Sequence, residues 1–320
     1  MSARVGLIWG NAAWREAVRL REPYVDVDHL MLGLVATGGP AARLLAHHGV
    51  TLVGGRRAVS TVRARALALL GVDATALPSV APLAASDLHR GKAGHARMTL
   101  QAERLFKRLR RGSTERDYLQ ALLAEPSGMV REVLGCAGVD LDALQEGLAG
   151  AAINWRTPTP RRVASSTSVG RGHRVDALRL EHWVSGPHHL VHHVATDLAS
   201  TTRWLTSPDE NRQPVTGRSR TRIAPDSQVA SLNLLLAVAT PSQVRWETWW
   251  GGRYGGSHTL DLEPIDSGTL VQLTREITTF GRFAAVAMPP VRLINGLGMP
   301  TMLQNLSFAC ADAIEDEQCP

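Results

Sequence analysis

Cysteine is scarce and odd in number: Cys136, Cys310 and Cys319 are all that 320 residues carry. Three distant thiols argue against a disulfide framework and for a reducing compartment. No apolar run reaches the roughly 20 residues that a membrane-spanning helix needs. The N-terminal stretch MSARVGLIWGNAAW has no long apolar core and no clear small-residue cleavage site, so no signal peptide is expected. The phosphate-cradling pattern G-x-x-x-x-G-K-[ST] is missing, which excludes a P-loop ATPase. The expectation is a soluble, cytoplasmic protein with no membrane partner.

The chain is long enough for two domains of ordinary size, and 44% hydrophobic residues suffice for their cores. The net charge of +6 is unevenly spread. Residues 1–150 carry 19 Lys+Arg against 14 Asp+Glu, and residues 151–174 carry five Arg and no acid. Residues 175–320 carry 11 Arg against 15 acids. A basic stretch thus joins a mildly basic half to an acidic one. Nucleic acid is not the expected partner, because no aromatic interleaving or recognition motif accompanies the arginines; a solvated linker explains them.

The segment Asp28 to Val59 recurs 89 positions later as Asp117 to Leu148, without a gap. Eight of the 32 positions are identical: Asp28/Asp117, Leu30/Leu119, Leu34/Leu123, Gly39/Gly128, Leu45/Leu134, Gly49/Gly138, Val50/Val139 and Leu52/Leu141. Within one copy, Leu30 and Leu34 recur at helical spacing. Asp28 stands where a carboxylate caps a helix N-terminus. Gly38-Gly39-Pro40 ends one helix and opens another, Ala41 to His48, which Gly49 closes. Val50 and Leu52 lead into a third. Two such bundles, each with an open apolar face, are expected to pack with pseudo-twofold symmetry.

The stretches YVDVDHLMLGL and ARLLAHHGVTL resemble the N-terminal (Clp repeat) domain of the Clp unfoldases over roughly residues 1–150. RMTLQAE, Arg97 to Glu103, resembles the opening of that family's second repeat. The resemblance implies a two-repeat all-helical domain that binds peptides, adaptors or other Clp-system proteins. In some members the acidic signature position of each repeat binds phosphorylated arginine, which here implies Asp28 and Asp117, with Asp where the family has Glu. A helix N-cap explains both aspartates equally well. Without a P-loop the chain is not a Clp ATPase.

Thr157 to Arg174, TPTPRRVASSTSVGRGHR, reads as part of a flexible linker spanning 151–174. After it the period changes. Leu178 to Val184 alternates as a strand, and Ser185-Gly186-Pro187 opens a helix from His188 to about Leu198. Val215 to Ile223, Ser227 to Thr240, Val244 to Trp250, His258 to Leu262 and Thr269 to Ile277 are further strand candidates, and Pro300 opens a final helix. WVSGPHHLVHHVATDLASTTRW and GGSHTLDLEPIDSGTLVQLTREI resemble the START-like polyketide cyclase/dehydrase (SRPBCC) superfamily over roughly 175–316. The fold class expected is therefore multidomain: an all-α two-repeat Clp N-type domain, then an α+β helix-grip domain, with 317–320 as a tail. The second resemblance implies a curved antiparallel sheet wrapped on the C-terminal helix around an apolar cavity.

Strand parity points His182, His258 and Arg275 inward among Leu180, Val184, Leu260, Leu262, Val271 and Leu273, and Trp246 is a further candidate for the lining. Structural burial explains each of them as well. His188, His189, His192 and His193 place imidazoles at helical spacing, but an exposed polar face accounts for them and no metal or other cofactor is implied. Two functions are compatible with this reading. One is a non-ATPase binding protein with a Clp-type module and an apolar small-molecule pocket. The other is a cyclase/dehydrase-type enzyme docked to a partner through the first domain; no catalytic constellation stands out.

Overall fold

The computed structural model describes residues 2–73, 76, 83, 97–109, 113–150, 153–167, 173–205, 212–215, 220–223, 232–250, 253–265, 267–281 and 284–318. The chain forms two compact units, 1–157 together with 311–320, and 158–310.

The first unit is helical. Its elements are α1 (Ser2–Arg19), β1 (Tyr24–Val25), α2 (Val27–Ala36), α3 (Pro40–His47), α4 (Leu52–Leu69), β2 (Arg97–Met98), α5 (Leu100–Arg108), α6 (Glu115–Leu123), α7 (Met129–Cys136) and α8 (Leu141–Ala149). The expected all-α content is relieved by one parallel pairing, Tyr24 with Arg97 and Val25 with Met98. Local chemistry sets the helix starts. Thr51, Thr99, Thr114 and Asp140 each accept a backbone N–H at an N-terminus, and Pro40 occupies the first turn of α3. Asp28 does not cap α2 as expected; Asp26 does, in a capping box with His29.

The 89-residue period is visible in the helix boundaries. α3 and α7 begin and end 89 residues apart, α4 and α8 begin 89 apart, and α1 and α5 end 89 apart. Gly49 and Gly138 both hold left-handed backbone, φ 84° and 82°, where the chain turns out of α3 and α7. α4 packs on α7, and α3 packs on α8. Because α7 answers α3 and α8 answers α4, this is one contact made twice, the pseudo-twofold arrangement expected from the repeat. Trp9 fills the centre: it is fully buried, stacks on Phe106 at 4.9 Å and meets Tyr118 at 4.5 Å, and its Nε1 donates to the Leu30 carbonyl at 2.6 Å.

The second unit is built on an eight-stranded antiparallel sheet. Its strands are β3 (Arg161–Val163), β4 (His173–Val184), β5 (Arg212–Val215), β6 (Arg220–Ile223), β7 (Leu232–Thr240), β8 (Gln243–Trp250), β9 (Arg253–Ile265) and β10 (Gly268–Phe280), in the order β3-β4-β10-β9-β8-β7-β6-β5. Two short helices, α9 (His188–Thr196) and α10 (Leu198–Trp204), follow β4, and α11 (Ala284–Gln318) closes the chain. Three expectations change. β3 lies inside the stretch read as a flexible linker and pairs with β4, while Glu276 accepts bonds from Ser165, Ser166 and Thr167. Residues 168–172 of that stretch, and residues 227–231 of an expected strand, lie outside the described residues. In place of the single strand expected over 215–223, β5 ends at Val215 and β6 begins at Arg220, and the two pair antiparallel; residues 216–219 lie outside the described residues.

The third change concerns α11, which begins at Ala284 rather than Pro300 and carries Pro289, Pro290 and Pro300 inside it. Its inner side faces the sheet: a Cβ on Gly296 would lie 3.5 Å from Leu178, and Ser307 bonds His182. One sheet face gripping one long helix is the α+β arrangement expected for this part of the chain. The last residues of α11 are counted with the first unit, where Asp312 and Glu315 meet Arg56 at 3.1 and 3.2 Å. No helix among the described residues is long and apolar enough to cross a membrane.

Candidate functional site

The inward face of the sheet is ordered in rows. Antiparallel pairing sets Trp246 of β8 opposite His258 of β9, His258 opposite Arg275 of β10, and Arg275 opposite Leu178 of β4. The next row is wholly apolar: Val244, Leu260, Leu273 and Leu180. Alternation along each strand puts these side chains on one face, and nearly all are buried. Three of the four residues singled out for the lining, Trp246, His258 and Arg275, therefore stand side by side across three strands.

Their hydrogen bonding separates them. Trp246 is fully buried and its Nε1 donates to the Ala195 carbonyl at 2.8 Å, so its polar atom is satisfied. His258 is 5% exposed, and neither Nδ1 nor Nε2 has a partner among the described residues. Arg275 buries an unpartnered Nε, and its Nη1 lies 3.7 Å from the thioether of Met302 on α11. No carboxylate among the described residues pairs with it. Burial lowers the Arg275 pKa to about 10. Burial first, and then the Arg275 charge, hold the His258 imidazole well below its usual pKa, so it is neutral.

His182, the fourth, sits apart. It pairs with Val271, one apolar row beyond the Arg275 row, and four residues along β4 from Leu178 is about 13 Å. Its Nε2 bonds the Ser307 hydroxyl at 2.9 Å. Burial pushes its pKa down to about 3. It is a core histidine tying β4 to α11.

α11 supplies what the strand pattern does not show. A Cβ on Gly298 would lie 3.5 Å from Arg275 Nη1, so bare helix backbone faces the guanidinium. Asn295, one turn earlier, is 2% exposed with Oδ1 unpartnered. These residues precede Pro300, where the helix was expected to begin. The signal that could have found them is the buried spacing Asn295, Met299, Met302, Leu303 and Leu306.

In the first unit Asp28 and Asp117 have different fates. Asp28 is buried, and Arg63 of α4 grips its Oδ2 with Nη2 at 2.6 Å and Nε at 2.9 Å; Arg63 also pairs with Glu22. Asp117 forms a capping box with Thr114, accepting from the Thr114 N–H at 2.6 Å in an exposed turn. The two are not brought together in one site by any contact among the described residues. On α9 Leu190, Val191 and Val194 are buried; His189 and His193 are exposed, but His188 and His192 are half-buried, so the exposed face expected of all four histidines holds for two of them.

No family model matches the chain, and no curated protein matches it. Solved structures are similar to part of it. Norcoclaurine synthase from Thalictrum flavum is 11% identical, with 46% of this chain and 96% of that one covered, at a TM-score of 0.33. A putative uncharacterized protein from Rhizobium leguminosarum is 15% identical, with 43% and 95% covered, at 0.32. A protein from Thermus thermophilus is 18% identical, with 43% and 98% covered, at 0.32. Scores of this size carry no argument, and the architecture of the second unit stands on its own strand register and helix.

Proposed function

We propose that this is a two-part binding protein. Its second unit holds an apolar small molecule between the sheet and α11, against Trp246, His258 and Arg275. Its first unit is a helical double-repeat module of the type its sequence resembles, which binds a peptide, an adaptor or a Clp-system protein. One observation carries the small-molecule reading. Polar atoms of His258 and Arg275 are buried without partners on an otherwise apolar face. Buried polar groups are ordinarily satisfied, and a few convergent ones on an apolar surface are how small-molecule sites are built. The repeated helix boundaries and the doubled packing contact support the module reading.

The experiment is a titration of the full chain with N-phenyl-1-naphthylamine, an uncharged apolar fluorophore. Saturable one-to-one enhancement is expected. Gly298→Leu projects a side chain at Arg275 and should weaken binding at least about tenfold, the worth of one occluded apolar contact area. Absence of saturation, or equal binding by Gly298→Leu, overturns the reading. A second reading, an enzyme of the cyclase/dehydrase type, is favoured by the ring nitrogens of His258, which have no partner among the described residues, although burial and the Arg275 charge weaken the imidazole as a base. Turnover of a bound apolar ligand, lost in His258→Ala, would establish it.

A further inference from the structure

We infer that the small molecule carries a single carboxylate, held by Arg275 and His258, with its apolar body along the leucine row of the sheet. This rests on the reading of the second unit as a small-molecule site and names the ligand's chemical class.

The charge balance points there. Arg275 is half-buried, but its Nε is enclosed with no partner among the described residues and its Nη1 has a thioether for a neighbour, which is costly to keep. Elsewhere in the same unit the buried charges are answered: Asp176 holds Arg292 at 2.6 Å and Arg162 at 3.0 Å, and Glu276 is surrounded by hydroxyl donors. Arg275 alone of these faces inward, toward apolar neighbours. A ligand anion supplies the missing counter-charge.

The donors fix the anion's kind. The planar fork of arginine matches a carboxylate in a bidentate geometry. His258 stands directly opposite on the neighbouring strand, where facing side chains are about 5 Å apart at Cβ. Being neutral, it adds one N–H donor and no second charge. One positive charge and a few donors suit a monoanion rather than a phosphate or diphosphate. Beyond this polar row lie Val244, Leu260, Leu273 and Leu180, which offer only hydrocarbon. An amphipathic monocarboxylic acid satisfies both halves.

The test is calorimetry of the full chain at neutral pH with octanoate and with octan-1-ol, two molecules alike in chain and different in head group. Octanoate should bind at least about tenfold more tightly, as expected for a charge-assisted hydrogen bond. Arg275→Met should bring octanoate to the level of the alcohol. Arg275→Lys keeps the charge and should retain part of the preference; thermal melts of both variants confirm that they fold. Equal binding of acid and alcohol by the native chain overturns the inference and leaves the apolar pocket standing. A preference that survives Arg275→Met also overturns it. Binding of neither molecule overturns the inference together with the small-molecule reading beneath it.

Discussion

Arg63, late in α4, lies on the carboxylate of Asp28, early in α2, with Nη2 2.6 Å and Nε 2.9 Å from the same oxygen. The acidic position that resemblance assigns to phosphoarginine recognition is thus already occupied by a guanidinium from the same chain. An external arginine at Asp28 must displace Arg63 and part it from Glu22 as well.

That pairing sets the first prediction. The Asp28 side chain is 2% exposed, so Arg63→Met strands a buried carboxylate and should cost about 3 kcal/mol of first-unit stability. Asp28→Asn with Arg63→Met should recover most of it, because the uncompensated charge is gone. Urea denaturation of the four chains gives the double-mutant cycle. A double variant as unstable as Arg63→Met alone would show that the pair matters through packing rather than charge. Calorimetry with phosphoarginine, and arginine as control, then follows: Arg63→Ala should bind more tightly than the native chain if Asp28 reads such a mark.

Gly49 and Gly138 give the second. Their φ angles of 84° and 82° are ones that side chains resist, and a Cβ at either would meet nothing within 4 Å. The cost of alanine is therefore backbone strain alone, about 1–2 kcal/mol at each site. The two positions are equivalent in the repeat, so the costs should be equal and should add in the double variant. Melting curves of the single and double variants decide it, and a cost confined to one copy would break the equivalence.

Glu115 gives the third. It is buried at the start of α6 and accepts the Ala41 N–H at 3.1 Å and the Thr157 hydroxyl at 3.0 Å. Burial raises its pKa to about 7, and these two bonds oppose the rise. The fold thus binds the proton more tightly than the unfolded chain, whose carboxyl titrates near 4.5. Its contribution is complete below pH 4.5 and is lost as pH rises to about 7, a fall of about 3 kcal/mol at 1.36 kcal/mol per unit. Glu115→Gln should flatten first-unit stability across that window. An unchanged pH profile in the variant would assign the dependence elsewhere.

The placement of the candidate residues on one sheet face was legible because strand alternation is local. Parity in β4, β9 and β10 is enough to turn His182, His258 and Arg275 inward. What parity cannot show is which of them finds a partner: Ser307 satisfies His182 from 125 residues away, and nothing among the described residues does so for His258. The helix over that face was hidden for another reason. Proline ordinarily ends or kinks a helix, so Pro289, Pro290 and Pro300 disguise a helix that runs through all three. The cap of α2 moved by two residues because Asp26 and Asp28 are alike locally. Arg63, 35 residues on, takes Asp28 for an ion pair, and Asp26 remains for the N-terminus. The pairing of β5 with β6 was hidden inside the alternating run from Val215 to Ile223, which reads as one strand.

The fourth prediction runs opposite in sign to that for Glu115. His182 is neutral in the fold, with a pKa pushed by burial to about 3, and takes a proton near pH 6.5 when unfolded. Its contribution to second-unit stability is complete above pH 6.5 and is lost as pH falls toward 3, at about 1.4 kcal/mol per unit. His258 is shifted the same way, so the native second unit should lose stability with the slope of two protons through the acid range. Ser307 faces His182 from α11. A hydroxyl carries no charge, and desolvation by burial sets the shift. His182→Gln keeps a hydrogen-bonding group for Ser307 and removes one proton. It should lower neutral-pH stability modestly and reduce the acid slope by about 1.4 kcal/mol per unit. Urea titrations between neutral pH and pH 4, followed by tryptophan fluorescence from the buried Trp183 and Trp246, measure that slope. A slope unchanged by the substitution would mean that His182 takes up its proton without unfolding the sheet from α11.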